Sequence, residues 1–383
     1  MGLIEAEVYL TTDAAHPYLE IKLDGEPART VPFKPLIRPV TAAGGLRQFV
    51  AYPLVTDVGP WSFRACLHPG DYLPAGDNKF YTSRHRQIWL QNDQFFDYKP
   101  VARVSPSRIV KIDPFPGTMG PRPLYIYLPR GYREHKTRHY PVLYMQDGQN
   151  CFERFAADSY AGTWRADEIA DRLIADGAMQ ECLIVGVGHG GGNRLMEYLP
   201  PYARLPEPLE AHPTGAIKRN LIPLPGLAEQ TFRFYRDEVA PYLAEHFRIQ
   251  SAREATAICG SSMGGLFALY VGWEHAEFVR NVAALSTSFW VTRGPAGQIE
   301  AIERLKRAEP RDIRLWLDSG TLDAPGRGDD GLALTELARD VLFDKGYRPG
   351  DNFHYHRADG ATHSEAAWAA RLDQVFRFLM PLR

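Results

Sequence analysis

The sequence predicts two domains: an N-terminal β-sandwich over residues 1–105 and an α/β domain over residues 106–383, with a mostly parallel central sheet flanked by helices. Length is the first observation behind this prediction, because 383 residues exceed one ordinary compact domain and suit two. The second is a change of pattern near residue 106, where short alternating runs give way to apolar runs separated by helical segments.

The N-terminal region has the spacing of short antiparallel strands. Apolar and polar residues alternate in "AEVYL", "YLEIKL", "RQFVAYPL" and "WSFRACL", and clusters of Gly, Pro and Asp separate these runs. Such alternation is typical of strands that bury one face, and the turn residues mark their ends. We therefore expect two small sheets packed face to face.

The second region alternates strands with helices. Most of its predicted strands are strongly apolar, which is typical of a parallel sheet covered on both faces. They are "RIVKIDPF" (108–115), "LYIYLP" (124–129), "YPVLYMQ" (140–146), "CLIVGVG" (182–188), "ATAIC" (255–259), "VRNVAALS" (279–286), "IRLWLDSG" (313–320) and "NFHYHRADG" (352–360). Helical periodicity predicts helices over 164–177, 227–247, 264–275, 331–346 and 365–380, and Pro241 should kink the second of them or start a new turn in it.

Composition excludes several classes of function. A formal net charge of −2 argues against a nucleic-acid partner. There is no apolar run of about 18 residues, so we expect no membrane span. The N-terminus does not read as a secretion signal, and the four scattered cysteines have neither disulfide nor zinc spacing, which favours a cytoplasmic location and no metal site.

A short stretch of glycines and serines after an apolar run predicts a nucleophile. In "GSSMG" (260–264), Ser262 has glycine two positions before and two positions after it, whereas Ser261 has the larger Cys259 and Met263 there. A nucleophile on a sharp strand-to-helix turn needs small residues at those positions, as in α/β-hydrolases. Ser262 is therefore the predicted nucleophile.

The base should be a histidine that follows the nucleophile and the acid in the chain. Of the four histidines after Ser262, His275 comes too soon, and His354 with His356 alternates inside a predicted strand. His363 lies in "DGATHSEAAW", between the last strand and the last helix. We therefore expect His363 to be the base.

The acid should follow the preceding strand. Asp323 lies five residues beyond the end of that strand and is favoured, with Asp318 as the alternative. Asp329 and Asp330 directly precede a predicted helix, where N-capping is the common role of aspartate.

Two backbone N–H groups should stabilise the oxyanion. One is that of Met263, the residue after the nucleophile, and the other comes from the loop after the third strand of the sheet. The glycine-rich "HGGGN" (189–193) follows a later strand. The loop after "PVLYMQ" (141–146) has the right position, so we expect Gln149 to be the second donor.

Further residues are candidates for substrate contact. They are Asn150 in the oxyanion loop, Arg194, and Trp290 in the loop after the strand that follows the nucleophile helix. The Pro-rich insertion over residues 199–226 is a candidate lid, because long loops in compact domains often carry function.

Several motifs together resemble the esterase D / enterochelin esterase-like family, whose relatives include feruloyl and acetylxylan esterases and mycolyltransferases. The resemblance spans roughly residues 108–383. It rests on "YPVLYMQDGQNCF", "ADRLIADG", "NRLMEYLP", "GSSMGGLFALY", "LDSGT" and "GATHSEAAWAARL". It implies a triad of Ser262, Asp323 and His363, with Gln149 and Met263 as the oxyanion donors, and an Ig-like fold for residues 1–105.

These observations predict a serine carboxylesterase that cleaves a small-molecule ester without a metal ion or an organic cofactor. Two alternatives remain open. One is an acyltransferase or thioesterase with the same triad, and the other is a non-catalytic protein that binds carbohydrate or another partner. A homodimer is a further expectation.

Overall fold

The computed structural model describes residues 3–12, 14–23, 25–36, 47–56, 60–69, 71–74, 79–91, 94–96, 105–204, 224–323 and 329–382. Residue contacts divide the chain into two units. One contains Met1–Ser105 with Arg133–Arg138 and Arg383, and the other contains Pro106–Tyr132 with His139–Leu382. Much of the candidate lid, residues 205–223, lies outside the described residues.

The first unit is built from short strands. They are β1 (Leu3–Glu5), β2 (Glu7–Thr12), β3 (Tyr18–Lys22), β4 (Arg29–Pro32), β5 (Lys34–Pro35), β6 (Arg47–Ala51), β7 (Leu54–Thr56), β8 (Trp61–His68), β9 (Asp71–Leu73), β10 (Tyr81–Ser83), β11 (Gln87–Gln91) and β12 (Gln94–Phe96). Two five-stranded sheets form, one in the order β10-β8-β3-β4 with β9 on β8, the other in the order β12-β11-β2-β6-β5.

Alternate residues of these strands share one apolar core. Leu10 of β2, Ile21 of β3, Phe49 of β6 and Phe63 of β8 are all buried in it. Because strands of both sheets contribute, the two sheets pack face to face, as the alternating sequence pattern predicts. The Ig-like assignment stays a prediction.

The second unit contains one eight-stranded sheet. Its strands are β13 (Arg108–Phe115), β14 (Arg122–Leu128), β15 (Val142–Gln146), β16 (Leu183–Val187), β17 (Thr256–Ser261), β18 (Asn281–Leu285), β19 (Arg314–Gly320) and β20 (Phe353–Ala358), in the order β13-β14-β16-β15-β17-β18-β19-β20. Strand β14 pairs antiparallel with both of its neighbours, and every pairing from β16 to β20 is parallel. This mixed sheet, flanked by helices, is an α/β-hydrolase-type fold.

The helices of this unit are α1 (Ala166–Ala175), α2 (Arg194–Tyr198), α3 (Ala228–Phe234), α4 (Ala240–His246), α5 (Met263–Glu274), α6 (Glu300–Arg307), α7 (Leu332–Asp344), α8 (Glu365–Ala369) and α9 (Leu372–Leu379). A π-helical turn, Tyr235–Val239, joins α3 to α4 just before Pro241. Pro241 thus lies in the first turn of a new helix, as expected for a residue without a backbone N–H, and the change of helix type precedes it.

Each central strand contributes to two apolar cores, one on each face of the sheet. Along β15, for example, Val142 and Tyr144 belong to one core and Leu143 and Met145 to the other. Helices α3 to α7 cover the first face, whereas α1, α8 and α9 cover the second. Burial on both faces explains why these strands are strongly apolar.

All four cysteines are buried and none forms a disulfide. Burial raises the pKa of the Cys151 and Cys259 thiols. Within the described ranges, no helix is both long and apolar enough to cross a bilayer.

Candidate active site

A strained backbone presents Ser262 at the junction of β17 and α5. Its φ of 57° and ψ of −121° lie in a backbone region that residues other than glycine rarely adopt. Three backbone hydrogen bonds hold it there: its N–H donates to Leu285 O at 2.9 Å, and its carbonyl accepts from the N–H groups of Leu266 and Ser288, both at 3.1 Å. The turn projects the hydroxyl away from the end of the strand.

The flanking glycines allow this turn to be tight. A Cβ atom on Gly260 would lie 2.5 Å from the carbonyl carbon of Gly264 and 2.3 Å from Gln146 Oε1. Atoms do not approach so closely, so a side chain at Gly260 would force the turn apart. The pattern of small residues that predicts Ser262 therefore has a direct steric cause.

We expect Gly260→Ala to lower both activity and stability. The clash should move the backbone that carries Ser262 and should cost about 1–3 kcal/mol, as overpacking does in cores. Urea unfolding and ester turnover measure the two effects. The matched control is Gly192→Ala, where a Cβ would meet no described atom within 4 Å. A Gly260→Ala protein as stable and active as the Gly192→Ala protein would contradict the steric account.

His363 lies within hydrogen-bond distance of the predicted nucleophile. It follows β20 and precedes α8, and its Nε2 atom is 2.9 Å from Ser262 Oγ. Ser364 caps α8 by accepting a hydrogen bond from the Ala367 N–H, which fixes the backbone beside the imidazole. The structure thus brings together the two residues predicted as nucleophile and base.

The carboxylate beside His363 comes from Asp330, not from Asp323 as expected. Asp330 Oδ1 is hydrogen-bonded to His363 Nδ1, and its side chain is fully buried. Asp330 lies at the end of β19, where its Oδ2 accepts a hydrogen bond from Gly320 N–H at 2.7 Å. Asp323 comes seven residues earlier in the chain.

Only one of the two adjacent aspartates bonds to the start of α7, and the N-cap position itself is occupied by Gly331. Asp329 Oδ1 accepts hydrogen bonds from the N–H groups of Gly331 and Leu332, at 2.8 and 3.1 Å. It therefore pairs with backbone N–H groups at the start of α7, whereas the side chain of Asp330 bonds to His363. Asp318, the alternative acid, forms a buried ion pair with Arg371 instead.

The predicted oxyanion donors lie on neighbouring turns at the same edge of the sheet. Asp147, in the left-handed conformation with φ 55°, leads into a short 3-10 turn that contains Gln149. A Cβ on Gly264 would lie 3.4 Å from Asp147 Oδ2, so this loop packs directly against the nucleophile turn. Met263 is the first residue of α5, and its N–H has no partner within the helix.

Arg194 holds the oxyanion loop by a two-point contact. Its Nε and Nη2 atoms donate to the two carboxylate oxygens of Asp147, at 2.6 and 2.7 Å. Burial alone would lower the pKa of Arg194, but the Asp147 carboxylate raises it above its ordinary value. Each charge of this pair is satisfied by the other. Arg194 therefore stabilises the loop that carries Gln149.

We expect Arg194→Met to destabilise the protein by about 2 kcal/mol, because it leaves the buried Asp147 carboxylate without its two charge-assisted hydrogen bonds. Equilibrium unfolding in urea measures this loss. In the control variant Arg165→Met, an exposed ion pair with Glu168 is removed, and the loss should be smaller. Equal losses in the two variants would contradict this role of Arg194.

The other two substrate-contact candidates differ in exposure. Asn150 is nearly buried, donates to Glu365 at 3.3 Å and accepts from Ser159 at 2.7 Å. Trp290 is 48% exposed and lies two residues after Ser288, whose hydroxyl is 3.2 Å from Ser262 Oγ. Trp290 therefore follows a residue in contact with the nucleophile and is open to solvent.

Sequence reasoning missed two polar residues of this site. Glu365 is half-buried near Asn150, and burial raises the pKa of its carboxyl, with the Asp147 carboxylate adding to the rise. Ser288 contacts the nucleophile from the loop after β18. The sequence signal for Glu365 as a site residue was its position two residues after the predicted base.

Comparison with known proteins places this chain in a family. Endo-1,4-beta-xylanase Y of Acetivibrio thermocellus is 24% identical over 265 residues, which cover 67% of this chain and 21% of the xylanase. The chain thus spans about a fifth of that relative's length. A ferulic acid esterase structure superposes with a TM-score of 0.53 and 20% identity, over 72% of this chain and 98% of the other.

The enterobactin esterase structure from Shigella flexneri superposes with a TM-score of 0.51 and 14% identity, over 98% of this chain and 93% of the other. The family model described as "Putative esterase" matches residues 117–379, which is more than half of the chain. The chain therefore belongs to this family of ester-hydrolysing enzymes, as its motifs indicated.

Proposed function

We propose that the protein is a serine carboxylesterase that cleaves a small-molecule ester through an acyl-enzyme, with Ser262 as nucleophile, His363 as base and Asp330 as the triad acid. One observation carries this proposal: the hydrogen-bonded chain from Ser262 Oγ through His363 to the buried Asp330. A hydroxyl becomes a useful nucleophile only when a base removes its proton, and the base needs an orienting acid.

The hydrogen-bond partners of His363 define its tautomer. An ionised Asp330 carboxylate can only accept, so His363 Nδ1 carries the proton and Nε2 has a free lone pair. That lone pair faces the Ser262 hydroxyl at 2.9 Å and can take its proton. The neutral imidazole is therefore oriented as a general base.

In the first half of the reaction, the Ser262 proton moves to His363 Nε2 while Oγ bonds to the ester carbonyl carbon. The negative charge that develops on the carbonyl oxygen would be stabilised by the N–H groups of Met263 and Gln149. Collapse of this intermediate breaks the ester C–O bond, and His363 returns the proton to the leaving alcohol. The acyl group remains on Ser262.

In the second half, His363 takes a proton from water, and the hydroxide attacks the acyl-enzyme carbonyl. The same two N–H groups would stabilise the second oxyanion, and the proton returns to Ser262 Oγ as the carboxylic acid leaves. Asp330 keeps the imidazole oriented and stabilises its cation in both halves. Every step uses groups of this chain, the ester and water.

A fluorophosphonate probe tests the proposal directly. We expect it to modify the native protein at one residue, Ser262, as located by peptide mass spectrometry. The loss of p-nitrophenyl acetate hydrolysis should be proportional to the fraction of protein that is labelled. The heat-denatured protein is the control, since the activated hydroxyl requires the folded site. Labelling elsewhere with hydrolysis unaffected would overturn the proposal. Adding an alcohol to the assay separates hydrolysis from acyl transfer by the product formed.

A further inference from the structure

A buried polar network continues behind Asp330, away from Ser262. Its members Asp318, Ser286, Arg371 and Asp330 are at most 4% exposed. They come from four separate places: the loop after β18, strand β19, the segment before α7 and the junction of α8 with α9. Each of these segments ends close to the triad acid.

The hydroxyl of Ser286 has its orientation fixed by its neighbours. Its oxygen accepts a hydrogen bond from Trp368 Nε1 at 2.8 Å and another from Arg371 Nη2 at 2.9 Å. A hydroxyl has two lone pairs and one proton, and both lone pairs are used here. The proton must therefore point to its third neighbour, Asp330 Oδ2.

Arg371 is itself held in place by a buried carboxylate. Its Nε and Nη2 atoms donate to the two oxygens of Asp318 at 3.0 and 2.7 Å. Asp318 also accepts from Trp316 Nε1 at 2.7 Å and from Ser286 N–H at 3.1 Å. The arginine charge is thus balanced by Asp318, and Asp330 Oδ1 is left to His363.

The backbone of Ser286 is adapted to this arrangement. Ser286 has a φ of 42°, a left-handed conformation that is uncommon for residues other than glycine. The strain directs the hydroxyl toward Asp330 while the Ser286 N–H bonds to Asp318. Strain of this kind persists where surrounding contacts enforce it.

We propose that Ser286 and Arg371 are positioning residues for the triad acid: Asp318 fixes Arg371, Arg371 with Trp368 fixes the Ser286 hydroxyl, and that hydroxyl holds the Asp330 carboxylate against His363. The proposal rests on the proposed function for its kinetic test, but the contact between Asp330 and His363 can be measured without substrate. Ser286 and Arg371 act through Asp330 and do not touch the reacting atoms.

The variant Arg371→Lys tests the network. Lysine keeps the charge beside Asp318 but loses the fork that reaches Ser286 as well. We expect kcat to fall roughly tenfold or more with KM within about twofold, since displacement of a catalytic group by about 1 Å can cost on the order of 10²-fold. The matched control is Arg122→Lys, which makes the same change in the buried pair of Arg122 with Glu197. It should lower stability while kcat stays within about twofold.

Two further variants grade the effect. Ser286→Ala removes the donor to Asp330 and should lower kcat more than Trp368→Phe, which frees one lone pair of the Ser286 hydroxyl and keeps an aromatic ring beside His363. The downfield proton resonance of His363 Nδ1 reports the bond to Asp330 directly and is assigned by its loss in His363→Gln. We expect Ser286→Ala and Arg371→Lys to shift or broaden it, and Arg122→Lys to leave it in place.

The outcomes distinguish a failure of this proposal from a failure of the proposed function. Equal losses of kcat in Arg371→Lys and Arg122→Lys, or an unchanged resonance in Ser286→Ala, would overturn the positioning role. If wild type hydrolyses no ester, the proposed function fails, yet the resonance still tests whether the network holds Asp330. If Arg371→Lys does not fold, Ser286→Ala and Trp368→Phe decide the question by the same resonance.

Discussion

Asp330→Asn is expected to lower kcat by about 10⁴-fold, the size of effect seen when a triad acid becomes an amide. Gly320 N–H and the Ser286 hydroxyl both donate to Oδ2, so an asparagine must turn its carbonyl oxygen toward them. Its NH₂ group then faces His363 Nδ1 and donates to it. The imidazole proton moves to Nε2, where it blocks acceptance of the Ser262 proton.

Steady-state kinetics on p-nitrophenyl acetate measure this loss, with circular dichroism to confirm the fold. The control is Asp323→Asn, which removes the carboxylate that the sequence favoured. It should leave kcat within about threefold of wild type, because surface changes away from a site are usually small. A severe loss in Asp323→Asn with an active Asp330→Asn would mean that the loop rearranges and that Asp323 serves His363.

Ser262→Ala should have the larger effect, a fall in kcat of about 10⁶-fold, since the covalent step depends on this oxygen. The variant should still bind ester, because it loses a single oxygen atom from the pocket. Its stability should be equal to or above that of wild type. Stopped-flow assays on activated esters give the acylation rate, and equilibrium binding gives the affinity.

Ser261→Ala is the matched control for this experiment. Ser261 is the adjacent residue, is equally small, and ends β17 rather than occupying the strained turn. It should retain kcat within about threefold of wild type. If Ser261→Ala loses activity and Ser262→Ala keeps it, the assignment of the nucleophile is wrong.

The residues of the strand-to-helix turn could be predicted because their constraint is local. Gly260 and Gly264 meet within five positions of sequence, so the need of the turn for small residues can be read from the sequence. His363 could be predicted for a similar reason, because the chain order of this fold places the expected base in the last loop. The apolar strands of the sheet likewise follow from burial on both faces.

The carboxylate beside His363 was predicted wrongly because sequence order does not show which aspartate reaches the imidazole. Asp329 and Asp330 are adjacent in sequence, and only the first of them bonds to the start of α7. Adjacent side chains point in different directions, so one rule cannot describe both. Only the contacts with His363 and Gly320 N–H distinguish Asp330 from Asp323.

The network behind the acid left no sequence signal. Ser286 and Arg371 are 85 residues apart, and neither belongs to a spacing rule. Their contact is set by how α8 and α9 pack on the sheet, which is a property of tertiary structure. The Ig-like fold, a homodimer and a cytoplasmic location stay predictions.

The burial of every cysteine has a practical consequence for inhibitor profiling. Alkylating reagents such as iodoacetamide react with exposed thiolates, and this chain presents none in its native state. Raised pKa values at Cys151 and Cys259 reduce their reactivity further. The enzyme should therefore tolerate thiol blockers, and covalent inactivation of the folded protein by a phosphonate should not involve a cysteine.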